Sequence, residues 1–510
     1  MRLFKFLLVF HLVFGVKCHR LLVLFTLPTR SHDILGTALV KGLAEHGFDV
    51  TYVGLFEDKT PPTSYRKIVL TGFLEEYQRI LAGKFTVVQM EQKSPFQHIL
   101  MMNEVGNALT DSVLKHPNIQ KLVQSNEHFD AVIMEQGLND GLKILASHFR
   151  APLVIFSSLG PNPWINNIVG NPEPPSYIPN IFLDFPPEMN FFQRIYNFVF
   201  AAYSKFNLDY VFYPEQSRIV KKYFLDAPAF DEVLYNVSLV LLNSHESVTQ
   251  PVPLVPNMIN IGGYHVRPPN ELPKDLKEFM DNATEGVIYF SLGSHVDPSL
   301  LPDSTLQAIS RVLGSRQEKI LWKWPLDTLP DQSKNVRISK WFPQQDILAH
   351  PNLKLFITHC GLLSTTETVY HGVPILALPA VGDQKLNAAH AESLGLGRKL
   401  FPSEITEESF KDALNDVLDN PKYRDNIKYR SSVLHDRPVS PIQLAAYWVG
   451  YVIKQKGAPH LRVAGARMPF YKYLMLDVIA VIIFAMCSVS YAFSKIVGKI
   501  LRPKNKLKKS

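Results

Sequence analysis

The chain has 510 residues, of which 46% are hydrophobic and 19% charged, enough for two α/β domains of about 200–250 residues each. Its formal net charge is +7, but lysines and arginines between 495 and 510 account for the whole excess. The composition therefore excludes a basic nucleic-acid-binding body, because the rest of the chain is electrically balanced.

The first 18 residues have the organisation of a secretory signal peptide. Arg2 and Lys5 precede an apolar run, 6–16, that is too short to span a bilayer. A buried first strand is the alternative, but a better strand, 20–26, follows at once. We therefore predict that residues 1–18 are a signal peptide.

Residues 19–265 have the pattern of a doubly wound α/β domain, in which strands alternate with helices. The segment after the first strand carries Leu35, Leu39 and Leu43 on one face and stops at Gly47, which predicts a helix. The predicted strands of this half are residues 20–26, 48–53, 129–134 and 153–157.

The composition changes after these strands. Residues 161–187 contain eight prolines, and residues 191–213 contain ten aromatic side chains. One interpretation is a helical cap on the first domain. The other is the mouth of an apolar ligand pocket that also touches a bilayer.

A boundary between two domains is predicted near residue 265. The stretch 251–263 is rich in proline, and PPNELP follows at 268–273. The second domain, 266–440, then begins with an apolar strand, 286–292. Ser294 follows this strand and could donate to a ligand, or could lie in an ordinary turn.

The stretch 341–384, WFPQQDILAHPNLKLFITHCGLLSTTETVYHGVPILALPAVGDQ, is the most informative part of the chain. An apolar strand, 355–358, leads through a glycine turn into a predicted helix, and a second strand, 375–378, follows. A helix N-terminus attracts phosphate because its N–H groups are unpaired and its dipole end is positive. These elements predict an anion site beyond the carboxyl ends of parallel strands.

Polar side chains surround this predicted site. His359 and Ser364 can donate to an anion, and Glu367 can accept from two sugar hydroxyls. Trp341 offers a flat face on which a base can stack. Each residue also has a structural interpretation: Trp341 as core, Ser364 as a helix cap and Glu367 as a solvated acid.

Taken together, the stretch resembles the signature of the UDP-glycosyltransferase family, which glycosylates small lipophilic molecules, and has the same span of 44 residues. The matching residues are Trp341, Pro343, Gln344, His359, Gly361, Ser364, Glu367, Pro374, Asp383 and Gln384. Chance does not produce this many matches at fixed spacings. One departure is Cys360, where animal members usually have glycine and plant members commonly have cysteine.

The resemblance implies a GT-B fold, in which two Rossmann-like, doubly wound α/β domains face a cleft. It assigns Trp341 to uracil, Gln344 and Glu367 to the ribose, His359 and Ser364 at the Gly361 helix start to the diphosphate, and Asp383 with Gln384 to the hexose. The first domain should then bind the acceptor.

A general base should come from the first domain, and His32 stands out among 17 histidines by its position. It follows the first strand at a helix start, where Ser31 can cap the helix and the positive helix end favours neutral imidazole. A lone histidine here would be a surface residue, but the Ser-His pair resembles the family's catalytic position. The family also has an orienting acid; Glu135 occupies its place, where many members have aspartate, and Asp140 is the less favoured candidate.

The end of the chain predicts a membrane anchor. Residues 441–473 should hold a last helix that packs back on the first domain, followed by a connection to the membrane. Residues 474–493 contain one charge, Asp477, and are long enough to cross a bilayer. By the positive-inside rule, the basic tail, 494–510, is expected in the cytosol and the body in the lumen. The chain is then a single-pass type I membrane protein.

The final KLKKS resembles a dilysine retrieval signal for the endoplasmic reticulum, through Lys506 and Lys508. A plain stop-transfer cluster is the alternative. Cys360 is the one cysteine expected in the lumen, so no disulfide framework is predicted there. Asn236 and Asn282 open N-glycosylation sequons.

These expectations combine in an inverting hexosyltransferase that moves a sugar from a UDP-sugar to a hydroxyl of a lipophilic acceptor, with His32 as base. Glucose is expected because Gly382-Asp383-Gln384 and the LLSTTE helix resemble invertebrate members, which mainly use UDP-glucose. The alternatives are glucuronosyl or galactosyl transfer, a UDP-sugar-binding protein without turnover, and an epimerase. No cofactor or metal is expected, because the sequence has no Asp-x-Asp motif. Nucleic acid is not an expected partner, whereas a homo-oligomer remains open.

Overall fold

The structure is a computed structural model that describes residues 18–58, 63–81, 89, 91–293 and 298–501. Residues 1–17 of the predicted signal peptide, Ser294 and the tail 502–510, with its two retrieval lysines, lie outside these ranges.

The first sheet is built from seven strands: β1 Arg20–Leu24, β2 Asp49–Gly54, β3 Arg66–Val69, β4 Ala131–Glu135, β5 Leu153–Ser157, β6 Val237–Leu242 and β7 Met258–Asn260. Their order is β3-β2-β1-β4-β5-β6-β7, and every neighbouring pair is parallel. The four strands predicted from the sequence are β1, β2, β4 and β5. Their apolar runs are buried because helices cover both faces of a parallel sheet.

Nine α-helices accompany this sheet in the described residues. They are α1 Arg30–Glu45, α2 Phe73–Leu81, α3 Pro95–Lys115, α4 Pro117–Val123, α5 Ile144–His148, α6 Pro163–Val169, α7 Phe191–Asn207, α8 Tyr213–Tyr223 and α9 Phe230–Leu234. A 3-10 helix, Asp140–Lys143, follows β4, and a π-helical turn, Leu208–Phe212, joins α7 to α8.

The second sheet has six parallel strands: β8 Val287–Ser291, β9 Lys319–Lys323, β10 Val336–Ser339, β11 Leu353–Thr358, β12 Ile375–Ala377 and β13 Gly397–Lys399. Its order is β10-β9-β8-β11-β12-β13. Its helices are α10 Lys274–Asp281, α11 Asp303–Gly314, α12 Gln344–Leu348, α13 Leu362–His371, α14 Gln384–Ser393, α15 Glu407–Asp419 and α16 Pro421–His435.

Both sheets are doubly wound, as predicted. In each, the strand order reverses once, between β1 and β4 in the first and between β8 and β11 in the second. Ligands of such folds bind beyond the carboxyl ends of the strands at the point of reversal. Loops that follow these four strands are therefore where a site is expected.

Helix α1 forms because Leu35, Leu39 and Leu43 bury one face of it against the first sheet. It ends before Gly47, whose φ of +88° lies in the left-handed region that favours glycine. The predicted cap was wrong in one detail. Thr29, not Ser31, occupies the N-cap position, and Ser31 lies inside the first turn with its hydroxyl 3.1 Å from that of Thr29.

After α16 the chain returns to the first sheet. Helix α17, Pro441–Lys454, packs against α1 and β6. The contact is so close that a Cβ atom at Gly42 would lie 2.1 Å from Cγ1 of Ile442. This helix therefore ties the end of the chain to the helix that carries His32.

The chain ends in a long apolar helix. A short helix, α18 Phe470–Tyr473, precedes α19, Leu476–Leu501, which is exposed along its length. Within the described ranges α19 is the one helix long and apolar enough to cross a bilayer. It runs past the predicted end at residue 493, because no proline occurs before Pro503.

A buried ion pair lies in the 3-10 helix that follows β4. The side chains of Asp140 and Lys143 are both fully buried and hydrogen-bonded to each other, and Gln136 donates to the second oxygen of Asp140 at 3.0 Å. Burial lowers the pKa of Lys143, and the charge of Asp140 opposes that shift. Asp140 is thus occupied inside the first domain, which leaves Glu135 as the carboxylate beside His32.

Replacing Asp140 with asparagine is expected to lower the free energy of unfolding by about 3–5 kcal/mol, because it leaves the Lys143 ammonium buried without a counter-charge. Urea unfolding of the detergent-solubilised protein measures this. Asp111→Asn is the matched control, since Asp111 pairs at 2.8 Å with Lys222, whose side chain is 54% exposed. We expect no measurable change there. Equal stability of both variants would contradict the prediction.

Candidate active site

The structure brings His32 and Glu135 into direct contact at the reversal point of the first sheet. Glu135 is the last residue of β4, and His32 lies in the first turn of α1, which follows β1. Nδ1 of His32 lies 2.5 Å from Oε1 of Glu135. Because a carboxylate accepts, Nδ1 carries the proton of this bond, and Nε2 is the basic nitrogen.

This pair is shielded from water. The side chain of Glu135 is fully buried, whereas that of His32 is 19% exposed. The second carboxylate oxygen, Oε2, is buried without a hydrogen-bond partner among the described residues. The carboxylate therefore makes its side-chain hydrogen bond to the imidazole, through Oε1.

The pKa of His32 lies above its ordinary value of 6.5. Burial alone would lower it, but the charge and hydrogen bond of Glu135, with the charge of Asp383, outweigh burial. From the sequence, the positive helix end was expected to favour neutral imidazole. In the structure the two carboxylates dominate instead.

Asp383 brings the second domain to the base. It immediately precedes α14, and its carboxylate accepts from Nδ2 of Asn387 at 2.7 Å. Burial raises the pKa of Asp383, while the hydrogen bond from Asn387 and the charge of His32 lower it. Asp383, assigned to the hexose, thus lies close enough to His32, assigned to base catalysis, to shift its pKa.

Gln384, the next residue, is largely buried at the start of α14. Its amide oxygen accepts from the backbone N–H groups of Ala380 and Val381 at 2.9 and 3.0 Å. The oxygen is therefore committed to the turn, and the amide nitrogen is the group that can reach a ligand.

Glu367 and Ser364 form one hydrogen-bonded group with two glutamines on α12. Glu367 accepts from Nε2 of Gln344 at 2.6 Å and from Nε2 of Gln345 at 2.8 Å. Gln344 also donates to Oγ of Ser364 at 3.1 Å. Glu367 is 2% exposed, so it is not a solvated acid, and burial raises its pKa to about 7.

Neither Ser364 nor Trp341 has the purely structural role that the sequence left open. The N-cap of α13 is Gly361, and Ser364 lies within the helix. Trp341 is 55% exposed and so is not a core residue. Its indole covers the ammonium of Lys323, which lies 4.4 Å from the ring centroid.

Lys323 was missed by the sequence analysis. It is the last residue of β9, and its Nζ donates to the carbonyl of Gly293 at 2.8 Å. Burial lowers the pKa of Lys323 to about 8. Its position at the carboxyl end of a strand in the second sheet was the available signal.

Two glycines lie against the imidazole of His359, which follows β11. A Cβ atom at Gly293 would lie 2.5 Å from Cε1 of this imidazole, and one at Gly361 would lie 2.7 Å from Nε2. Both glycines therefore let the backbone approach the ring. Cys360, which follows His359 directly, has a φ of +62°, in the left-handed region, which explains why glycine suits this position.

The two sequon asparagines lie away from this cleft. Asn282 is exposed at the end of α10. Asn236 is exposed just before β6, and its side-chain oxygen accepts from Nη1 of Arg462 at 2.9 Å.

Comparisons with known proteins agree with this arrangement. The family model described as UDP-glucoronosyl and UDP-glucosyl transferase matches residues 23–509. UDP-glycosyltransferase UGT5 of Dactylopius coccus is 35% identical over 92% of this chain and 90% of its own length. Human UDP-glucuronosyltransferase 2B10 is 28% identical over 90% of this chain and 89% of its own.

Solved structures share the fold. A UDP-glucosyltransferase from Polygonum tinctorium, solved with 3,4-dichloroaniline, aligns with a TM-score of 0.54 at 16% identity, over 86% of this chain and 99% of its own. A glycotransferase of kitacinnamycin aligns with a TM-score of 0.57 at 15% identity, over 86% and 100%. These likenesses confirm the GT-B architecture. With the match along nearly the whole sequence, they show that the chain belongs to the UDP-glucoronosyl and UDP-glucosyl transferase family and is a UDP-glycosyltransferase.

Proposed function

We propose that this enzyme transfers glucose from UDP-glucose to a hydroxyl of a small lipophilic acceptor, with inversion at the anomeric carbon. The contact of 2.5 Å between His32 and Glu135 carries the proposal. It directs the basic Nε2 of a shielded imidazole away from the carboxylate, and the charge of Asp383 acts on the same ring.

The reaction is a single displacement. As the acceptor oxygen attacks C1 of the sugar, its proton passes to Nε2 of His32. The bond from C1 to the diphosphate oxygen breaks, and its electron pair leaves with UDP. Attack opposite the leaving group turns an α-linked donor into a β-glycoside. Glu135 stabilises the imidazolium as it forms.

The leaving diphosphate is stabilised by the second domain. The N-terminus of α13 presents backbone N–H groups and a positive dipole end, and His359 lies at the same turn. Ribose hydroxyls would bind Glu367 and Gln344. Uracil would stack on the exposed face of Trp341, with Lys323 beneath the indole.

Replacing Trp341 with alanine is expected to raise KM for the UDP-sugar by roughly 5- to 100-fold, since base stacking on an aromatic ring is worth about 1–3 kcal/mol. Trp341 is 55% exposed, so its removal should leave the fold intact. Initial rates at varied donor concentration measure the change. Tyr429→Ala, which removes an aromatic ring that is 66% exposed elsewhere, is the control. An unchanged KM would contradict the stacking assignment.

Two observations support glucose. Gly382-Asp383-Gln384 and the LLSTTE helix resemble invertebrate members, which mainly use UDP-glucose. A relative with 35% identity, from Dactylopius coccus, is named UDP-glucosyltransferase 2. The 28% identical human relative is named a UDP-glucuronosyltransferase, so glucuronosyl transfer is the second candidate.

A donor-by-acceptor screen on microsomes that contain the protein tests the proposal. UDP-glucose, UDP-glucuronate and UDP-galactose are each supplied with phenols, flavonoids and sterols. We expect β-glucosides from UDP-glucose. If glucuronides were the only products, glucuronosyl transfer would be the activity instead. If the protein bound a donor but formed no product, it would be a UDP-sugar-binding protein.

We propose that catalysis needs no divalent metal, because the positive end of α13 and its backbone N–H groups, with the neighbouring imidazole of His359 as a hydrogen-bond donor, stabilise the leaving diphosphate. Transfer in excess EDTA should therefore equal transfer without it. A loss of activity in EDTA that Mg²⁺ or Mn²⁺ restores would overturn this expectation.

We propose that α19 crosses the membrane of the endoplasmic reticulum, with the body in the lumen and the tail in the cytosol. Lumenal orientation should show as glycan attached at the exposed Asn282, detected as a mobility shift that Asn282→Gln removes. Replacing both Lys506 and Lys508 with serine should release the protein from the reticulum. Unchanged retention would assign those lysines to stop-transfer alone.

A further inference from the structure

A large cavity lies where the first domain meets the segment that leads to α19. Its volume is about 730 Å³. One wall comes from α6 and the proline-rich loop after it, and a second from α7 with the π-helical turn. A third wall is the segment 465–473, separated from α19 by two residues, and α9 contributes Asp231 and Glu232. The cavity therefore borders the predicted membrane surface.

Helix α7 also presents an apolar face outside this cavity. Phe192, Phe198 and Phe206 are 78%, 62% and 58% exposed. The segment before α19 carries further exposed aromatic side chains that line the cavity, Phe470, Tyr471 and Tyr473. Aromatic residues concentrate at the interface between bilayer and water. The same two elements thus bound the cavity and form an interfacial apolar surface.

A second, much smaller cavity lies on the inner side of the same wall. It holds about 10 Å³, roughly the room for one water. Pro163, Asn180 and Leu208 line both cavities, so one layer of side chains separates them. The small cavity also contacts Leu138, three residues beyond Glu135 in the chain.

The apolar cluster around the small cavity reaches the donor half of the cleft. It contains Ile181, Phe182 and Phe200, and Leu386 of α14 packs against it. Leu386 lies two residues after Gln384, which is assigned to the hexose. The small cavity therefore shares a wall with the large cavity, and the apolar cluster around it extends to α14.

We propose that the large cavity is the vestibule through which a lipophilic acceptor passes from the bilayer to His32. The proposal rests on the proposed function and names the route by which its acceptor arrives. The acceptor enters beside 465–473 and displaces the side chains of the shared wall. It then occupies an enlarged inner cavity beside Leu138.

The charges of the vestibule select among acceptors. Its acidic lining residues are Glu173, Asp209, Asp231 and Glu232, against the cations Lys205 and Arg467. Lys205 is already paired with Asp209 at 2.6 Å. Burial raises the pKa of Glu173 to about 7, so the excess rests on Asp231 and Glu232 against Arg467. This excess is negative, so neutral or amine-bearing acceptors should pass and carboxylate-bearing ones should be disfavoured.

A matched pair of substitutions on α7 tests the route. Ala201 lines the vestibule, whereas its neighbour Ala202 is exposed outside it. The full-length enzyme is reconstituted in phosphatidylcholine vesicles and assayed with two phenols. 4-Nonylphenol partitions into the bilayer, and 4-nitrophenol reaches the cleft from water. We expect Ala201→Trp to raise KM for 4-nonylphenol about tenfold, leaving 4-nitrophenol unaffected, and Ala202→Trp to behave as wild type.

The KM values of these variants decide whether the acceptor uses the vestibule. Equal KM values for 4-nonylphenol in wild type and Ala201→Trp would overturn the vestibule. If Ala201→Trp also slowed transfer to 4-nitrophenol, the same comparison would be made with Ala466→Trp on the opposite wall. An equal loss of transfer to both phenols in that variant would overturn the vestibule. Wild-type transfer to 4-nitrophenol reports the proposed function separately, since it does not depend on this route.

Discussion

Replacing His32 with alanine is expected to lower kcat/KM for sugar transfer by about 10²–10⁴-fold, the range that a positioned general base supplies. The acceptor hydroxyl would then have to lose its proton to water in a cleft where the neighbouring carboxylate is fully buried. UDP binding should survive, because the assigned donor contacts lie in the second domain. Single-turnover rates and UDP titration by calorimetry measure the two quantities separately.

The control for this variant is His128→Ala. His128 also lies near a carboxylate, with Nε2 at 3.7 Å from Asp130, but its side chain is 72% exposed. It should transfer sugar at the wild-type rate. Retained turnover in His32→Ala would refute the base assignment, whereas loss of UDP binding would point to a damaged fold.

The doubly wound pattern could be predicted from four of the seven strands in the first sheet and three of the six in the second, because each of those strands is a continuous apolar run bounded by turn residues. The runs 153–157 and 355–358 illustrate this: the first coincides with β5, and the second forms most of β11. The pairing of His32 with Glu135 was implied by the family resemblance, and the topology accounts for it. His32 follows β1, and Glu135 ends the neighbouring strand β4 at the reversal point.

Other features of the site depend on tertiary packing that a pattern does not encode. Lys323 stands in an ordinary strand, and only the fold places its ammonium beneath Trp341. The influence of Asp383 on His32 requires the two domains to close on each other. The N-cap at Thr29 was misassigned because Ser31 is an equally good capping residue by type.

The electrostatic design of the cleft follows from these contacts. One imidazole is influenced by carboxylates from both domains, and its pKa is raised despite burial. A base with a raised pKa holds the acceptor proton more firmly once transfer begins. The cost is that a larger fraction of the enzyme is protonated, and inactive, near pH 6.5.

Replacing Glu135 with glutamine tests this design through pH. Only neutral imidazole accepts a proton, so kcat/KM of the wild type should rise with pH and level off above the pKa of His32, beyond 6.5. Glutamine removes the charge and the charged hydrogen bond that raise this pKa, while burial, which lowers it, remains. The rising limb should therefore move to lower pH.

The plateau of kcat/KM should fall at the same time. A hydrogen bond to a charged group is worth about 1.5–3 kcal/mol, so losing its stabilisation of the imidazolium should cost roughly 10- to 100-fold, less than His32→Ala. Glu135→Asp is the conservative partner. It keeps the charge one methylene further away, so its limb should stay above that of Glu135→Gln. A lower plateau with an unmoved limb would mean that Glu135 only supports the fold, and an unchanged rate would assign the orienting role to another residue.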